Sequence, residues 1–208
     1  MIFTSGEMVD AIRANRIGAL TCVTFVCIIQ VSAMVRAEET KVPVTFSGGH
    51  DIAKNDYGRP ITLMAATLGV KPEEFRKAFS GVRPARGRGP TGEEARRNKE
   101  ALMKVLKPLG VSNERMDEVA NYYRFRPQNG ELWPTKPAKA YAVVADGKIK
   151  KVVVTDAGAG YSSPPKVTVK GFEKVALEAR LKLVTDLKKN GGIESIDVAK
   201  EKPKAKQN

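Results

Sequence analysis

Residues 76–99 hold Arg76, Lys77, Arg83, Arg86, Arg88, Arg96, Arg97 and Lys99 against only Glu93 and Glu94, a local charge of +6. A guanidinium is a planar fork of donors, suited to bidentate contact with phosphate, sulfate or carboxylate groups. Arg83, Arg86, Arg88, Arg96 and Arg97 are therefore the candidate binding residues. Tyr122, Tyr123, Arg124, Phe125 and Arg126 add aromatic and cationic groups of the kind that stack on bases or sugars. Both groups also have a plain reading: a solvated Gly/Pro loop, and a helix end with tyrosines in the core.

Other chemistry is thinner. His50 is the single histidine, with Asp51 and Asp56 nearby. A metal site needs three or four ligands at defined spacing, and adjacent loop residues commonly point apart. No metal or cofactor is expected. A serine nucleophile would have to bring His50 to Ser47, Ser80, Ser112, Ser162, Ser163 or Ser195, and none lies in a nucleophile-elbow context. The carboxylate pairs Glu73-Glu74 and Glu93-Glu94 fall at expected helix starts, where they compensate the helix dipole. Gly158-x-Gly160 is not a phosphate loop, because no Lys-Ser/Thr follows and a strand comes next.

The elements that position these residues change period along the chain. Residues 38–49 read as an extended lead-in. Four helices are expected within 50–126: from Pro60 to a stop at Gly69, from Pro72 through Phe75 and Phe79, from a Thr91 cap to Gly110, and from Ser112 or Asn113 through Tyr123. The Val82–Pro90 loop has no apolar periodicity. Residues 127–137, with Trp133 between two proline-rich clusters, read as a linker. An Asp146-Gly147 turn between β-branched runs predicts a hairpin, and Lys166–Lys170 alternates as another strand. Residues 175–184 fit strand or helix. Gly147-x-Ile-x-x-Val-x-Val recurs as Gly191-x-Ile-x-x-Ile-x-Val, which favours a strand there. Residues 138–199 thus form an antiparallel β module, and 200–208 a charged tail expected to be disordered.

At the other end, Arg13 and Arg16 precede an uncharged run from Ile17 to Val35, closed by Val35-Arg36-Ala37. This is the layout of a signal peptide over residues 1–37, cleaved after Ala37. A retained anchor is the competing reading. Cleavage removes Cys22 and Cys27 and leaves 171 residues carrying +12. No disulfide is then available, no membrane span is expected, and the basic balance favours acidic partners.

The stretch 147–171, through Val152-Val153-Val154-Thr155-Asp156-Ala157-Gly158-Ala159-Gly160-Tyr161-Ser162-Ser163-Pro164-Pro165, resembles a short β-repeat of bacterial surface and phage tail proteins. That resemblance implies an extracytoplasmic, non-catalytic β module. The helical half, from Gly48-Gly49-His50-Asp51 to Arg124, looks like uncharacterised secreted bacterial proteins and brings no activity with it. The sequence is read as an α+β protein: a small N-terminal helical bundle followed by a short antiparallel β module. The expected location is secreted, periplasmic or at the cell surface. The expected role is a non-enzymatic interaction module for an anionic polysaccharide, another acidic polymer or an envelope protein. The alternatives are a structural surface component, or a hydrolase or metal-dependent enzyme centred on His50.

Overall fold

A strand opens the described chain. In the computed structural model, which describes residues 38–83 and 90–199, β1 (Thr40–Ser47) alternates inward Val42, Val44 and Phe46 with outward Lys41, Thr45 and Ser47. It pairs antiparallel with β2 (Lys139–Ala145) through Thr40–Pro43, and with β4 (Lys166–Val169) through Val44–Ser47. With β3 (Lys148–Asp156) the sheet order is β3-β2-β1-β4. The expected lead-in is thus an inner strand, and the order helices-then-strands gives way to strand, helices, strands. Five polar or proline positions in its eight residues disguised it. A second antiparallel sheet joins β5 (Leu177–Lys182) to β6 (Gly192–Val198). The ambiguous segment is therefore strand at its centre.

Among the described residues there are four α-helices, inserted between β1 and β2, and the protein is mixed α+β. α1 (Ile61–Leu68) follows Pro60 and stops at Gly69 in the left-handed region, φ 71°. α2 (Pro72–Phe79) starts on its proline with Glu73 and Glu74 in the first turn. α3 (Gly92–Leu106) begins with a reciprocal capping box: Thr91 Oγ1 accepts from Glu94 N–H while the Glu94 carboxylate accepts from Thr91 N–H. α4 (Asn113–Tyr122) is capped by Ser112. Their apolar stripes meet in one core, with Leu63, Phe75, Leu106 and Val119 fully buried. Each such side chain contributes about 2 kcal/mol of burial free energy. No helix among the described residues is long and apolar enough to cross a membrane.

A second apolar cluster lies among the strands, with Val167, Ala179, Ile193 and Ile196 buried and Val44, Phe46, Val152 and Val154 packed against them. Tyr161 is 4 % exposed in that cluster, and Trp133, from the expected linker, is 2 % exposed in the helical one. The two rings belong to one node: Trp133 Nε1–H donates to the Gly160 carbonyl at 2.8 Å, and Tyr161 Oη accepts from Ala138 N–H at 3.1 Å. The glycines here are required by space as well as by φ. A Cβ on Gly158 would run into the Lys136 carbonyl oxygen, and one on Gly160 would meet the Pro134 carbonyl at 2.7 Å.

Candidate functional site

α3 carries its basic residues at helical spacing. Arg96, Lys99 and Lys104, with Lys107 at its C-cap, stand at i, i+3, i+8 and i+11, which places them on one face over about 16 Å. Together with Glu100, Met103 and Asn113 they line a hollow of about 440 Å³ between α3 and the start of α4. Met103 is nearly buried at its base. Lys99 is drawn across to Asp117 at 2.6 Å, and both side chains are about half exposed or somewhat less. Such a pair is worth under about 1 kcal/mol, so an incoming anion displaces it at little cost.

The five expected residues divide. Arg96 lies in the hollow. Arg97 points off that face and is paired with Glu93 at 2.5 Å, an exposed i,i+4 bridge. Arg83 is exposed, and its backbone is clamped at both ends: Asn98 Oδ1 accepts from Arg83 N–H, and Asn98 Nδ2 donates to the Arg83 carbonyl, each at 2.9 Å. That clamp holds Arg83 near Arg97 and Glu94 around a separate depression. Arg86 and Arg88 lie outside the described residues. Arg76, counted in the same cluster, is committed elsewhere: it donates from Nε and Nη2 to the two oxygens of buried Asp56, at 2.7 and 3.2 Å.

Lys104 and Lys107 were missed because the basic window closed at Lys99. Helical phase, rather than local density of charge, was the signal that joins them to Arg96. The aromatic group 122–126 does not add a stacking platform on this face: Tyr123 is 3 % exposed and belongs to the helical core, with Tyr122 and Phe125 packed against it.

The His50 group is only partly assembled. Asp51 and Asp56 line one hollow of about 240 Å³ with Ser162 and Ser163, and His50 is not in its lining. The His50 ring instead stacks on Tyr161, centroids 5.2 Å apart, with its neighbour Trp133 edge-on at 6.1 Å. Burial lowers its pKa from the usual 6.5, with Asp51 pulling the other way. The Asp51 carboxylate accepts from Ser163 Oγ at 2.9 Å, and Ser162 Oγ donates to the Asp51 carbonyl at 2.8 Å. Asp56 is occupied by Arg76. These bonds tie the loop after β1 to the turn before β4. Among the described residues no group of three or more His, Cys, Asp or Glu side chains is arranged to hold a metal ion. No family model, no curated protein and no solved structure matches the chain.

Proposed function

We propose that the protein is a secreted or surface-associated interaction module that binds an anionic envelope polymer along the basic face of α3. The observation that carries this reading is the alignment of Arg96, Lys99, Lys104 and Lys107 around one hollow, with Glu100 as its only acid among the lining residues. A linear polyanion laid along the helix meets these cations in succession, and each contact releases counterions. Arg83 and Arg97 extend the charge toward the N-terminal end of α3, where the sequence adds Arg86 and Arg88. In this reading the helical part, residues 50–126, carries the binding face and the strands brace it. No step of it requires catalysis or a cofactor. The resemblance of residues 147–171 to repeats of surface proteins supports the same compartment.

The test is binding of the full chain to a sulfated polysaccharide and to duplex DNA, titrated across salt. The triple variant Arg96→Glu, Lys104→Glu, Lys107→Glu changes three surface side chains and leaves the core untouched. We expect it to weaken polyanion binding at least tenfold and to flatten the salt dependence. Binding that is unchanged in the variant, or insensitive to salt in the parent, rejects the proposal.

A further inference from the structure

β3 and β6 each pair on one side only, β3 with β2 and β6 with β5. Just past the end of β3, one backbone bond joins the two edges: Ile193 N–H donates to the Ala157 carbonyl at 2.8 Å. Among the described residues no other backbone hydrogen bond links them. A cavity of about 1040 Å³ lies instead between Lys150–Val154 of one strand and Glu194–Ala199 of the other, with Glu178 and Arg180 of β5 also in its lining.

The direction of the backbone groups on β6 follows from its pairing. Ala199 N–H donates to the Ala176 carbonyl. Residues along an antiparallel strand alternate sides, so Asp197 and Ala199 turn their polar groups to β5 while Ile196 and Val198 turn theirs toward the cavity. No described residue bonds to them there. Unpaired groups of this kind on a sheet edge are a template for another strand.

Both lips carry a bulge, β6 at Glu194 and β3 at Lys150, but the β6 bulge precedes Ile196 and leaves Ser195–Val198 in regular pairing with β5. β3 carries Lys148, Lys150 and Lys151, and its register against β2 slips at Lys150, a bulge that spoils regular pairing. The side chains around the gap divide by face. Val152, Val154 and Ile196 belong to the inner apolar cluster, and Val198 is 46 % exposed beside them. On the outer face Lys151 stands on one lip and Asp197 on the other, the latter 3.4 Å from Arg180.

We propose that this seam takes one extended peptide segment of a partner protein, added as a strand to the free edge of β6. Its main chain pairs with Ile196 and Val198. Its inward side chains are apolar, meeting Val152, Val154 and Val198. Its outward side chains are uncharged and polar, because Lys150, Lys151 and Arg180 line the gap against Glu178, Glu194 and Asp197, so a run of either charge meets three like charges. The length from Lys150 to Val154 fits about five residues at 3.4 Å each. Main-chain bonds supply the affinity and the alternate apolar positions the selectivity.

The probe is a capped heptapeptide alternating threonine with valine, fused to a solubilising tag, set against one alternating lysine with valine. The expected result is binding of the first alone, with slowed hydrogen exchange at the Ile196 and Val198 amides of the full chain. Val198→Pro removes a seam-facing donor at the exposed end of β6 and should weaken binding at least tenfold. Val198→Thr keeps the donor and should bind as the parent does. The exchange measurement on the parent stands even if the proline variant does not fold. Absence of binding at millimolar peptide overturns the proposal, as does equal binding by the proline variant. Protection of the same amides by concentration-dependent dimerisation overturns it in favour of a second copy of this chain.

Discussion

The Asn190 amide reaches three acceptors, the Leu63 carbonyl, the Thr67 hydroxyl and the Tyr123 hydroxyl, at 2.8, 2.9 and 3.0 Å. Its own oxygen accepts from Val184 N–H at 3.0 Å. Asn190 is fully buried, and these direct bonds fix the β5–β6 loop against α1 and the end of α4. Asn190→Ala removes these bonds and takes the acceptor from Val184 N–H, while Thr67 Oγ1 still donates to the Leu63 carbonyl and still meets Tyr123 Oη; we expect a loss of about 2 kcal/mol in urea unfolding. His50 gives a pH dependence whose sign follows from its burial. Its folded pKa lies below the unfolded value, so the unfolded chain binds the proton more readily. Stability should be full above pH about 6.5 and fall as pH drops through that value toward the folded one. His50→Phe, which keeps a ring against Tyr161, should remove that slope in thermal melts taken between pH 8 and pH 5. Neither role was legible beforehand. Asn190 sits in Asp-Leu-Lys-Lys-Asn-Gly, where asparagine before glycine reads as an ordinary turn, and the acceptors of its amide are 67 to 127 positions away.

At the level of elements, what was legible is what local chemistry decides. The Thr91 capping box, the Pro72 start and the glycine stops at Gly69 and Gly110 all depend on residues within a turn of one another. The alternation of Leu177, Ala179 and Leu181 with charged residues left β5 open between strand and helix, and the recurrence of the Gly147 pattern at Gly191 decided for strand. β1 was not recognised as part of the sheet, since its partners lie about 100 positions on. The Asp56–Arg76 bridge belongs to the same class. It joins the loop before α1 to α2, and the sequence offered both residues to other roles, one to a metal or acid–base site and one to an anion-binding cluster. Breaking it should expose the difference between a structural pair and a functional one. The Asp56 side chain is 4 % exposed and that of Arg76 28 %, so solvent screens the pair in part. We expect Asp56→Asn to cost about 2 kcal/mol. In a double-mutant cycle with Arg76→Met the second substitution should cost much less than it does alone, and polyanion binding should be unaffected by either. A loss of binding in Arg76→Met at full stability would return Arg76 to the binding surface.

For the whole molecule, the charge of +13 sets the long-range field while the helical phase of α3 sets where it is densest. Net charge and its sign were visible from composition. The face on which four cations align was not, because that needs the helix boundary and its contact with α4. The placement of β1 has a consequence of another kind. Its first half pairs with residues 141–144 and its second half with 166–169. A chain emerging from the ribosome, or threading through a pore, must therefore hold its earliest described strand unpaired until most of the polypeptide has followed. Such contacts, distant in sequence, slow folding through the entropy of closing large loops. Assembly is then post-translational in character: the four helices can gather as they appear, while the sheet closes near the end. Until then Val42, Val44 and Phe46 are bare, and that interval is when the protein is most open to proteolysis and to a holding chaperone.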